Sequence, residues 1–181
     1  MLWLTDEQHA VVAAACERLV PGSLAAGAAE YVDGLLGAFS VDPPLIWAGG
    51  RFSGRQGGED GFSHFLPLGR MEERAWRTRI EGSRGRPERE WNGPVVGLQE
   101  RYLAGLAALG HDFAALDPED QDRRLDTVPE FAALLHEHAC EGTYGDPVYR
   151  GNRDGAGWRA IGFPGDVQPR GWSPVEVSAR G

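Results

Sequence analysis

Apolar positions recur every three or four residues through much of the chain, a period that predicts helices and leaves no clear strand. Thr5 followed by Gln8 reads as a capping box, and Asp6 and Glu7 suit the positive end of a helix dipole. Val12, Ala15, Cys16 and Leu19 then form one apolar face, and Pro21-Gly22 stops the helix. A second helix is predicted over 25–39, with Ala28, Tyr31, Val32, Leu35, Leu36 and Phe39 in register, closed by Asp42-Pro43-Pro44. Residues 45–67 follow neither a helical nor a strand period and predict a loop, 68–80 a helix, and 82–94 another loop. The stretch 95–109 carries Leu98, Tyr102, Gly105, Leu106 and Leu109 on one side. Asp117-Pro118-Glu119-Asp120 has the chemistry of a helix start. The last predicted helix covers 129–141, with Phe131, Leu134, Leu135 and His138 on one face and Gly142 as its stop. The expectation is an all-α protein: a small helical bundle over 1–141 with an irregular insertion near 45–94. An extended arm over 142–181, rich in glycine and aromatic residues, belongs to the same domain.

Composition narrows the chemistry. The 181 residues include 26 Gly and 12 Pro, which agrees with long segments outside regular structure. A net charge of -9 disfavours nucleic acid and anionic membrane surfaces as partners. All 18 basic residues are Arg, so a Walker-type loop, a Schiff-base lysine and a lysine general base are excluded. Cys16 and Cys140 are too few for a cubane iron–sulfur or tetracysteine zinc site, and two buried free thiols are expected rather than a disulfide. No run approaches the ~20 apolar residues of a membrane span, so no direct membrane insertion is expected. Neither a signal peptide nor a twin-arginine motif is present, which points to the cytoplasm as the sequence is written. A periplasmic or extracellular location would need an export signal on a partner.

The residues that look chemical mostly have structural explanations. His136 and His138 lie two apart, which on a helix points them about 200° apart, whereas zinc proteases need a spacing of four. Asn152-Arg153-Asp154-Gly155 resembles part of a calcium loop but lacks the closing bidentate Glu, and a turn is the better reading. Glu72/Glu73, Glu119/Asp120 and Asp122 sit among polar and Arg neighbours, as solvated helix faces do. Neither a GxSxG elbow nor a GxGxxG turn after a strand occurs. The arm differs in kind. It strings Tyr144, Tyr149, Trp158, Phe163 and Trp172 among glycines with few aliphatic residues, a composition of protein interfaces and equally of an arm packed on its own bundle.

The segment from His138 to Gly165 carries a longer pattern: His138, Glu141-Gly142, Tyr144, Asp146-Pro147, Tyr149, Gly151-Asn152, Asp154, Gly157-Trp158 and Gly162-Phe163-Pro164-Gly165. In this order and spacing it resembles the gluconate 2-dehydrogenase subunit 3 family, the small subunits of flavin-dependent dehydrogenases. Arg18-Leu-Val-Pro-Gly22, residues 28–33, Gly105-Leu-Ala-Ala-Leu109 and Phe113-Ala-Ala-Leu-Asp-Pro118 add shorter similarities. The resemblance implies a non-catalytic accessory subunit, with no catalytic residue, cofactor or metal in this chain. It also implies that FAD resides in a large partner of the glucose–methanol–choline oxidoreductase class, which acts on a sugar or another alcohol. A cytochrome subunit is a further partner that the resemblance leaves open. The candidate interface is Tyr144, Asp146, Tyr149, Asn152, Arg153, Asp154, Trp158, Phe163 and Trp172. Two departures stand out: Arg150 occupies a position where the pattern usually has Gly, and the twin-arginine leader of many relatives is not in this sequence. A free-standing metal enzyme using His136 and His138, and a transient folding or export chaperone for the large subunit, are the alternatives.

Overall fold

Helix α1 (Asp6–Leu19) begins where its cap predicts, with the Thr5 hydroxyl accepting from Gln8 N–H at 3.2 Å and the Gln8 side chain accepting from Thr5 N–H at 3.0 Å. Its apolar face buries Val11, Val12, Ala15 and Cys16. The second predicted helix is two pieces, α2 (Ser23–Ala26) and α3 (Ala28–Leu36). Gly27 separates them at φ 76, a left-handed conformation that side-chain-bearing residues adopt at a cost, and Gly37 ends α3 before Phe39. The computed structural model describes residues 1–46 and 67–164. The central part of the predicted 45–67 loop, together with Gly165 and Trp172, lies outside the described residues.

Helix α4 (Arg70–Glu81) starts with the Glu72 carboxylate accepting from Gly69 N–H at 2.7 Å. Helix α5 spans Leu98–Leu109, so residues 95–97 precede it rather than open it. Helix α6 (Pro118–Asp126) is capped as predicted, Asp117 Oδ1 accepting from Asp120 N–H at 2.9 Å. Helix α7 (Pro129–Tyr144) continues three residues past its predicted end, and Gly142 is buried within it. A short helix α8 (Ala156–Ala160) follows, and no strand occurs among the described residues. The part of the predicted arm that is described, 142–164, therefore packs on the bundle, with α8 against α2 and α7.

The bundle is organised around α7, which touches α1, α2, α3, α5, α6 and α8. Its closest approach is to α3, where a Cβ on Gly142 would meet Ala28 Cα at 2.8 Å and Tyr31 Cβ at 3.0 Å. Gly142 is thus the contact point of two helices, not a stop signal. Tyr31 reinforces the pair by donating to the Glu141 carboxylate at 2.6 Å. Asp33, 2% exposed on α3, holds the N-terminal residues by accepting from the N–H groups of Leu2 (2.7 Å), Trp3 (2.9 Å) and Leu4 (2.9 Å). Burial by itself would raise the Asp33 carboxyl, but these three N–H groups and the N-terminal charge outweigh it and hold it below its ordinary value.

His138 sits in the core at 1% exposure, its Nδ1 2.8 Å from the Tyr102 hydroxyl across the α5–α7 interface. Burial pushes its pKa down to about 4, with Arg79 and Arg101 acting in the same direction and Glu137 against them. The folded protein therefore holds a neutral imidazole where the unfolded chain would protonate near 6.5.

Two outcomes follow for stability. Gly142→Ala forces α3 and α7 apart and lowers unfolding free energy by about 1–3 kcal/mol, measured by urea denaturation. Stability attributable to His138 is complete above its unfolded pKa of 6.5 and declines as pH falls toward about 4, because only the unfolded state gains a proton in that window. Urea midpoints recorded from pH 7 to 5 show this slope in the wild type, and His138→Gln flattens it; an equal slope in both assigns the effect to other groups.

Candidate functional site

The end of α7 leaves carbonyl groups without helical partners, and the segment that follows is built to supply them. The last helical bond runs from Gly145 N–H to Glu141 O at 2.8 Å, and beyond it Asn152 N–H bonds Gly142 O at 2.6 Å. The Trp158 indole N–H reaches Tyr144 O at 2.8 Å. The Asn152 side chain closes the arrangement: Nδ2 donates to Gly145 O at 2.8 Å, and Oδ1 accepts from Gly157 N–H at 2.9 Å and Trp158 N–H at 3.4 Å. Asn152 is fully buried and left-handed, at φ 45, a conformation that Asn tolerates better than most residues. The chain passes so close to α7 that a side chain on Gly151 would strike the Gly142 carbonyl, and one on Gly157 the Thr143 carbonyl.

Helix α8 ends in a Schellman motif. Phe163 N–H bonds Trp158 O at 2.8 Å, Gly162 N–H bonds Arg159 O at 3.2 Å, and Gly162 is left-handed at φ 69. The apolar contact that accompanies this motif is the Trp158–Phe163 pair, edge to face with centroids 5.3 Å apart. Pro164 follows, where the helix cannot continue. Much of the Gly-Trp … Gly-Phe-Pro pattern is therefore the signature of one helix end.

What remains outward is an aromatic and aliphatic ledge. Ile161 is 60% exposed, Phe163 45% and Tyr144 37%, with Trp158 half-buried behind them. The other expected site residues divide differently. Asp146 caps the turn Pro147–Tyr149, its Oδ1 accepting from Val148 N–H at 2.9 Å. Arg153 is exposed and paired with Glu30 at 2.6 Å, which ties this segment to α3. Asp154 is exposed, and its carbonyl accepts from Arg159. The Asn152 side chain faces inward and cannot present itself to a partner in this conformation. Tyr149 instead lines an apolar cleft of about 300 Å³ with Tyr31, Gly34, Leu35, Trp76 and Arg150.

The match to known families lies on this architecture: the model of the gluconate 2-dehydrogenase subunit 3 family covers residues 6–165. The chain belongs to that family. Among curated proteins and among solved structures, nothing matches it. The family match ends two residues past the Schellman cap, so it takes in the whole Asn152 clasp and the ledge.

The histidines diverge, His138 into the core and His136 into solvent, where its Nε2 lies 3.8 Å from Cys140 Sγ. No group of three or more His, Cys, Asp or Glu residues that could hold a metal occurs among the described residues. Cys16 and Cys140 are free, but Cys140 is only half-buried, which corrects the expectation of two buried thiols. Burial pushes the Cys16 thiol up to about 12, so it is an inert core residue. No described helix is long and apolar enough to cross a membrane. The sequence did not mark Tyr31, Gly34 or Trp76 as site residues, since the cleft assembles from distant segments, and Ile161 lies inside the motif without being one of its patterned positions.

Asn152→Ala strands Gly145 O and Gly157 N–H in a buried setting and removes a residue suited to φ 45. The expected loss is about 2–4 kcal/mol by urea denaturation. A loss under about 0.5 kcal/mol, the range of ordinary surface substitutions, contradicts the clasp.

Proposed function

We propose that this chain is a non-catalytic accessory subunit that stabilises or matures the FAD-bearing large subunit of a sugar or alcohol dehydrogenase. The observation that carries the reading is the ledge of Tyr144, Ile161 and Phe163, exposed on a segment locked down by Asn152. Exposed aromatics on a rigid support suit a docking face, since little conformational entropy is lost on binding. The family match, to a subunit of a dehydrogenase, supports the same reading. Flavin is assigned to the large partner because the chain resembles the small subunits of flavin-dependent dehydrogenases. In this reading the cofactor carries the redox chemistry and this chain contributes surface and support.

Co-expression with a candidate flavin-dependent large subunit, and purification through a tag on this chain, recovers a complex with higher flavin occupancy than the large subunit alone. Recovery of neither partner nor flavin effect removes the proposal. Within the complex, Ile161→Asp weakens binding at least tenfold by burying an unpaired carboxylate, while the isolated variant keeps its melting temperature within a few degrees. Wild-type affinity for Ile161→Asp moves the interface elsewhere.

A further inference from the structure

Arg150 is held where a backbone of its kind is uncomfortable. It is left-handed, at φ 77, a conformation that glycine adopts freely and arginine does not. Its side-chain stem crosses the backbone of Gly34 on α3 so closely that a Cβ there would stand 2.9 Å from Arg150 Cδ. Gly34 itself is an ordinary helical residue with negative φ, so its missing side chain serves this crossing and not a turn. Two positions on different elements, one strained and one stripped of its side chain, thus combine to lay a cation along the apolar cleft. That cation makes no hydrogen bond or ion pair among the described residues. Arg153, three residues on, has one: it is paired with Glu30. The Arg150 backbone closes the turn 147–149, with Arg150 N–H bonding Pro147 O at 3.0 Å, while the guanidinium beyond the stem is left for an external contact.

The cleft sets the chemistry of that contact. Tyr31, Leu35, Leu45, Ile46, Trp76 and Val148 give it apolar walls, and its volume of about 300 Å³ holds one or two large side chains. A guanidinium with no partner among the described residues, beside such a pocket, complements a carboxylate attached to an apolar group. We propose that the cleft receives a segment of the large dehydrogenase subunit in which a large apolar side chain enters the pocket and a neighbouring Asp or Glu pairs with Arg150. This rests on the accessory-subunit reading above and adds the chemistry of the partner's docking segment. Arg150 then acts as a specificity residue: the apolar walls accept many side chains, and the guanidinium selects those flanked by negative charge.

Arg150→Gly tests this without endangering the fold, because glycine relieves the strain. In the complex isolated by co-purification, biolayer interferometry at low and high salt compares wild type, Arg150→Gly and Arg150→Lys. The expected result is an Arg150→Gly affinity at least tenfold weaker with a flatter salt dependence, a partial loss for Arg150→Lys, and an isolated Arg150→Gly that melts at or above the wild-type temperature. A lower melting temperature makes Arg150 a structural residue and overturns the proposal. Unchanged affinity also overturns it and leaves the cleft to another part of this chain or to a second copy. Loss of binding in Ile161→Asp but not in Arg150→Gly removes the cleft while preserving the accessory role, whereas no complex from the wild type removes both.

Discussion

The carbonyls at the end of α7 have to be bonded, and the C-terminal half of the family motif exists to do it. Gly142 O and Tyr144 O find partners in Asn152 N–H and the Trp158 indole, at 2.6 and 2.8 Å, beyond the last helical bond from Gly145 N–H to Glu141 O. A buried helix end without such partners would cost roughly 1–3 kcal/mol for each stranded group. Meeting that need dictates the rest: the chain must fold back within contact of α7, which requires no side chain at Gly151 and Gly157, and it must reverse twice, which places Asn152 in a left-handed conformation. Once α8 is seated, its own end needs a cap, and Gly162 with the Trp158–Phe163 contact provides it.

The same helix joins this clasp to the core. Gly142 presses against Ala28 while Tyr31 bonds Glu141, so α3 is positioned by the turn of α7 that the clasp completes. Helix α3 in turn holds the N-terminus through Asp33 and supplies Gly34 to the cleft. A disturbance at Asn152 is therefore transmitted to both candidate surfaces, the ledge through α8 and the cleft through α3. The arrangement explains why a segment with so little aliphatic content is ordered: hydrogen bonds to helix-end carbonyls, not a core of its own, hold it.

Residues that looked chemically active serve this architecture. His138 is a neutral core residue hydrogen-bonded to Tyr102, and Asn152 spends both ends of its side chain inside the fold. What is left for recognition faces outward: Ile161, the open sides of Phe163 and Tyr144, and the guanidinium of Arg150, which has no partner among the described residues. The proposed function rests on the ledge, which α8 and the Asn152 clasp hold in place.

Local patterns by themselves determined the helices with complete signals. Thr5 and Gln8, Asp117 and Pro118, and the periodic faces of α1, α5 and α7 each carry period and cap within a few residues, so helical class and most boundaries were readable. Glycine was where local reading failed, because its effect depends on what stands opposite. Gly27 breaks a helix that looked continuous, whereas Gly142 sits inside one that seemed to stop there, its missing side chain serving the contact with Ala28. The inward turn of Asn152, the cleft joining Tyr31, Trp76 and Tyr149, and the strain at Arg150 were likewise decided by tertiary structure alone. Each depends on backbone segments distant in sequence meeting at contact distance, and no short-range pattern encodes that meeting.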